Sequence, residues 1–113
     1  MRAAVRLAQD ARAAAVVVFT RGGQSARRMA KERPRAPIYA FAHEVDVLRG
    51  LQLSWGVRPR LLTEQAARGR IVAAVRASLR RDGLLKPGER VVLVMGAKDD
   101  PTGTTTLIRL LTV

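Results

Sequence analysis

Val16-Val17-Val18-Phe19-Thr20-Arg21-Gly22-Gly23-Gln24-Ser25-Ala26-Arg27-Arg28-Met29 decides the fold. Three consecutive β-branched valines and a phenylalanine read as a buried strand. Two glycines then let the backbone turn, and an Ala-containing polar segment starts a helix that Pro34 closes. A strand entering a helix through a tight Gly loop leaves the first helical N–H groups without intrahelical partners. With the helix dipole behind them, these groups favour an anion. Thr20 and Ser25 add hydroxyls, and Arg21, Arg27 and Arg28 add positive charge. The pattern alone fits either a phosphate cradle or an ordinary capped strand–helix turn. It is neither a Walker A sequence nor GxGxxG.

Working outward, Ala4, Leu7, Ala8 and Ala11 give a small-residue face to a helix over 2–12. The first strand spans 15–19 and the helix after the Gly loop 24–33. Pro34 and Pro37 bracket a short connection to a second buried strand, 38–42. A weaker helix over 43–51 turns Val45, Leu48 and Leu51 inward, with Gly50 against it. The third strand, 57–62, contains Pro59 and therefore belongs at a sheet edge. Thr63 is the expected N-cap of a long helix reaching Asp82, with Gly83 just past its end. Val91–Met95 and Thr106–Val113 are the last two strands. Continuous apolar strands alternating with helices imply parallel pairing under two helical layers. The last strand follows its predecessor without a helix and so runs antiparallel. The expected fold is one domain over 1–113, a three-layer α/β/α sandwich on a mixed five-stranded sheet.

Twenty-one basic residues stand against nine acidic ones, for a formal net charge of +12. That field suits phosphorylated metabolites, nucleic acid or an anionic membrane. The arginines are spread along helices rather than gathered in one block, which is also what a compositional bias produces. Few aromatics are present and all but Trp55 fall in strands, leaving no stacking platform for single-stranded nucleic acid. Trp55 itself reads as interior packing under the third strand. No apolar run approaches the roughly 18 residues of a membrane span. Cysteine is absent, so neither disulfides nor thiol chemistry arise, and the cytoplasm is the expected address.

Catalytic machinery is sparse. His43 follows a strand end without a second histidine or a nucleophile to partner it, and reads as a solvent-facing loop residue. Asp99-Asp100-Pro101 reads as a turn rather than a metal site. No cofactor is expected.

Several segments resemble the C-terminal α/β domain of pyruvate kinase. They are Phe19–Arg27, Arg33-Pro34-Arg35-Ala36-Pro37-Ile38-Tyr39-Ala40, Leu53-Ser54-Trp55-Gly56-Val57-Arg58-Pro59, Gly83–Val92 and Pro101-Thr102-Gly103-Thr104-Thr105-Thr106-Leu107-Ile108. The resemblance implies the same mixed sheet with an antiparallel last strand. It also implies a regulatory and assembly role, in which an effector phosphate sits in a Thr-x-[Ser/Thr]-Gly-x-[Ser/Thr] loop. Thr20, Gly23 and Ser25 match that loop directly, with Arg21, Gly22 and Gln24 between them. Gly22 stands where the family has a hydroxyl residue, one donor fewer. The family's second effector loop falls on 97–104, where Gly103 and Thr104 match best. Thr106 replaces the family's Asn, and Asp99 and Asp100 oppose a nearby phosphate.

The family's catalytic residues and metal ligands lie in a (β/α)8 barrel that these residues do not include. The expectation is a non-catalytic domain binding a sugar phosphate or nucleoside monophosphate, forming homo-oligomers, and working beside a pyruvate kinase catalytic portion. It would be either free-standing or part of a longer enzyme. The alternatives are a structural or protein-interaction module whose loop has lost its ligand, and a basic nucleic-acid-binding protein.

Overall fold

A computed structural model of the chain describes residues 2–63, 70–96 and 105–113. Five strands form one sheet: β1 (Ala15–Phe19), β2 (Ile38–Ala42), β3 (Val57–Leu61), β4 (Arg90–Gly96) and β5 (Thr105–Thr112). Their spatial order is β3-β2-β1-β4-β5, so the valine strand is the centre. β1 pairs in parallel with β2 and β4, β2 pairs in parallel with β3, and only β4 and β5 are antiparallel. Pro59 lies on the outer strand β3, where one missing N–H costs no central ladder bond.

Alternation along β1 divides the core in two. Val16 and Val18 point to the face covered by α1 (Arg2–Asp10), α2 (Gln24–Lys31) and α3 (Val45–Leu51), through Ala4, Ala8, Ala26, Met29 and Leu51. Ala15 and Val17 point to the opposite face, where Val75 and Leu79 of α4 (Ile71–Arg81) pack with Phe41, Leu93 and Leu111. Alanine on the first face lets three helices approach the sheet closely. Both faces of β1 and β2 are buried, which is why these strands lack polar alternation.

Helix ends depart from the sequence reading for local reasons. α1 stops at Asp10, two residues early, because Arg12 adopts a left-handed φ of 53°. The Arg12 and Ala13 N–H groups then bond back to Gln9 and Ala8 carbonyls. α2 stops at Lys31 because Arg33, immediately before Pro34, is also left-handed with φ 45°. In α3, Val45 is exposed rather than inward, since the helix begins there and its buried phase is set by Val47, Leu48 and Leu51. The single long helix from Thr63 to Asp82 does not form. Arg70 leaves helical geometry at φ −112°, ψ 68°, directly after Gly69 in the sequence, and the described helix begins at Ile71. Residues 64–69 lie outside the described set.

The far end of α4 follows the expectation. Gly83 is left-handed at φ 66°, and the Gly83 and Leu84 N–H groups bond to Arg80 and Leu79 carbonyls. Asp82, at the C-cap, would face the negative end of the helix dipole alone. Arg60 of β3 offsets it, pairing with the Asp82 carboxylate and donating to Ser78 Oγ at 3.3 Å. This contact ties the outer strand to α4. Asp82→Ala leaves the half-buried Arg60 without its anion and is expected to cost about 1–2 kcal/mol, after discounting for partial exposure. Urea denaturation of the full chain followed by circular dichroism measures it; an unchanged midpoint would show that the tether carries no stability.

Candidate functional site

The direction of the helical crossovers picks out one crevice. α2 and α3 follow β1 and β2 on one face, whereas α4 carries the chain to β4 across the other face. The order therefore reverses between β1 and β4, and in open α/β sheets ligands bind outside the strand carboxyl ends at such a point. Phe19 pairs with Met95 there, so the loop beginning at Thr20 and the end of β4 flank the same crevice.

The loop is built by its own residues. Thr20 is buried and its backbone N–H bonds to the Phe41 carbonyl at 2.9 Å, which holds the loop root on β2. Its Oγ1 accepts the Gly23 N–H at 2.9 Å. Gly23, the N-cap of α2, is left-handed at φ 93°, ψ −6°, and turns the chain into the helix. A side chain at this φ is strained, hence glycine. Because Gly23 has no side chain, Gln24, Ser25 and Ala26 start the helix with N–H groups that no side-chain cap covers. Ser25 is buried beneath them, while Arg21, Gly22 and Gln24 are exposed at the rim. The six loop residues expected from sequence thus form one continuous feature at the carboxyl end of the central strand.

Arg27 has a role that sequence reading did not assign. It counted there only as charge, but its guanidinium folds back to donate to the Gly22 carbonyl at 3.3 Å. A Cβ at Gly23 would lie 3.1 Å from Arg27 Nη1, and one at Gly50 would lie 3.3 Å from Nη2. Gly50 sits inside α3, a poor place for glycine on helix propensity alone. The Arg27 guanidinium lies close over it, clasping the loop to a neighbouring helix. Gly22 is different: a Cβ there meets nothing within 4 Å.

His43, just past β2 at the same edge, is not the solvent-facing residue expected. Its side chain is only 24% exposed, with Nε2 3.7 Å from Glu44 Oε1 and a buried Nδ1 that has no hydrogen-bond partner. The preceding β-strand buries the residue's root and leaves one nitrogen outward. Gly103, Thr104, Asp99 and Asp100 lie outside the described residues. Gly96 and Thr105, which flank 97–104, pair with each other beside the β1 terminus. Among the described residues no cluster of three or more His, Asp or Glu could hold a metal ion, and no helix is long and apolar enough to cross a membrane.

The family model for the pyruvate kinase alpha/beta domain matches residues 1–111. The chain belongs to that family. It is 34% identical to pyruvate kinase 2 of Synechocystis over 93% of its own length and 18% of that protein's. Similar matches are pyruvate kinases of Clostridium acetobutylicum, 29% identical over 91% of this chain and 22% of the relative, and Geobacillus stearothermophilus, 33% identical over 86% and 16%. The chain spans about a fifth of the length of the curated relatives it matches. The mixed sheet with its antiparallel last strand is the arrangement expected of a pyruvate kinase C-terminal domain.

Two glycine substitutions separate backbone from packing at this loop. Gly23→Ala forces a side chain into the left-handed region against Arg27 and is expected to destabilise by about 1–2 kcal/mol. Gly50→Ala gains up to about 1 kcal/mol of helix propensity while displacing an exposed, flexible guanidinium. Calorimetry should show opposite signs for the two, with the Gly22 and Gly23 amide resonances shifting in Gly50→Ala. No amide shift in that variant would refute the clasp.

Proposed function

We propose that this pyruvate kinase C-terminal domain is a regulatory unit that binds a phosphorylated metabolite, a sugar phosphate or nucleoside monophosphate, at Thr20–Ser25. The observation that carries the reading is the uncapped start of α2 at the sheet's switch point, shaped by Gly23 and closed by Thr20. Three backbone N–H groups, the helix dipole, the Ser25 hydroxyl and Arg21 would share a phosphate dianion. Gly103 and Thr104 would close over it from the β4 side. The domain would transfer no phosphoryl group itself; the share of its relatives that it does not span would supply catalysis.

Assembly is part of the same proposal. β5 is the outer strand opposite β3, and its Leu107, Ile108 and Leu110 are all exposed. An outer strand with apolar side chains and unpaired backbone groups invites pairing with a second copy. Ile108→Lys is expected to shift a dimer to monomer in sedimentation velocity; a monomeric parent chain would remove this part of the proposal.

Ligand binding is tested by thermal shift against a panel of sugar phosphates and nucleoside monophosphates, since a ligand that binds only the folded state raises Tm. Arg21→Ala and Ser25→Ala should shrink the rise. Gly22→Ser places a hydroxyl in open space and should tighten phosphate binding by about 1 kcal/mol, roughly fivefold. Flat curves throughout would leave the domain as a structural or interaction module.

A further inference from the structure

The amino ends of β2 and β3 carry a second concentration of positive charge, at the opposite edge of the sheet from Thr20. A recess of about 210 Å3 opens there between the 34–37 connection and the turn before β3, lined by Pro34, Arg35, Pro37, Ile38, Trp55 and Arg58. Trp55 is not interior packing as its sequence context implied. It sits in the turn ahead of Gly56, whose left-handed φ of 70° throws the ring outward, and is 56% exposed.

Two arginines beside this recess, Arg33 and Arg58, are held in place, while Arg35 is exposed on its lip. The Arg33 guanidinium lies 5.2 Å from the centre of the Trp55 ring, set there by the left-handed backbone before Pro34. Arg58 lies 5.8 Å from the Tyr39 ring centre and donates to its hydroxyl at 3.3 Å. None of Arg33, Arg35 and Arg58 has a carboxylate partner among the described residues. Like charges at one end of the strands favour an anion between them. Guanidinium forks match carboxylate and phosphate oxygens, and the indole supplies an apolar wall. The recess is small and opens to solvent, so it can seat a compact anionic group.

We propose that this recess binds a compact organic dianion bearing carboxylate or phosphate groups, gripped by Arg35 and Arg58 against Trp55, with Arg33 positioning the ring. The site is independent of the Thr20 loop.

Trp55 is the only tryptophan in the chain, so its fluorescence reports on this site alone. The full chain is titrated with succinate and with inorganic phosphate, each against sodium chloride at matched ionic strength. At least one dianion should give a saturable change that chloride does not, and the one that saturates identifies the preferred anionic group. Arg35→Gln with Arg58→Gln should weaken it at least about tenfold. Arg35→Lys, which keeps the charge and loses the fork, should weaken it less. Gly23→Ala should leave it unchanged. A response that follows ionic strength alone, survives the double substitution, or disappears in Gly23→Ala would overturn the proposal.

Discussion

The hydrogen bond from the Gly23 N–H to Thr20 Oγ1 is the constraint on which the site depends. It closes the loop while leaving the residues after it, rather than Gly23 itself, to present free N–H groups. A Ser or Asp N-cap would instead have spent its side chain on one of those groups. Using glycine at the cap gives up only about a few tenths of a kcal/mol of helix stability, since glycine is a tolerable cap. The uncapped helix start is affordable because α2 is fixed by packing: Ala26, Met29 and Ala30 are buried against β1 and β2. The sheet carries the stability, so the helix terminus is free to serve chemistry.

Much of this was legible from residue order. All five strands lie within one residue of their expected bounds, because runs such as Val16–Phe19 and Val91–Met95 are apolar on both faces and bounded by turn residues. The reversal of the last strand followed from the missing crossover helix. What escaped was set by residues distant in sequence or by unusual backbone. Arg12 and Arg33 end their helices in a conformation usually taken by glycine, so no residue-type signal marked the stops. Arg27 and Gly50 meet only because α2 and α3 lie side by side on one face. Trp55 reads as core by its chemistry, and only the turn geometry and Arg33 explain its place outside.

The candidate phosphate loop and the tryptophan recess occupy opposite ends of the same strands. β2 links them most directly: its last residues accept the Thr20 N–H, and its first residue lines the recess. α2 and the 34–37 connection form a second link, since Arg27 clasps the loop at one end and Arg33 braces Trp55 at the other. A buried strand and a packed helix are stiff, so occupancy at one end would be transmitted only if this unit has two discrete arrangements. The left-handed Arg33 before a proline is where a second arrangement would be stored, because its backbone is the least favourable along that path.

Net charge alone does not distinguish these sites from the rest of the surface. With 21 basic and 9 acidic residues, many cations are bound to lack a carboxylate wherever they fall. What matters is which guanidinia have already lost their conformational freedom. Arg33 is held by an indole and its own backbone, and Arg58 by Tyr39. A fixed fork costs less entropy to engage than a solvated one on an open helix face, such as Arg6 or Arg80. Ordering side chains costs about 0.5–1.5 kcal/mol each on binding, so the two braced arginines beside the recess give up less on binding than mobile ones would. The basic composition raises anion concentration everywhere around the domain, and the braced arginines set the recess apart from that background.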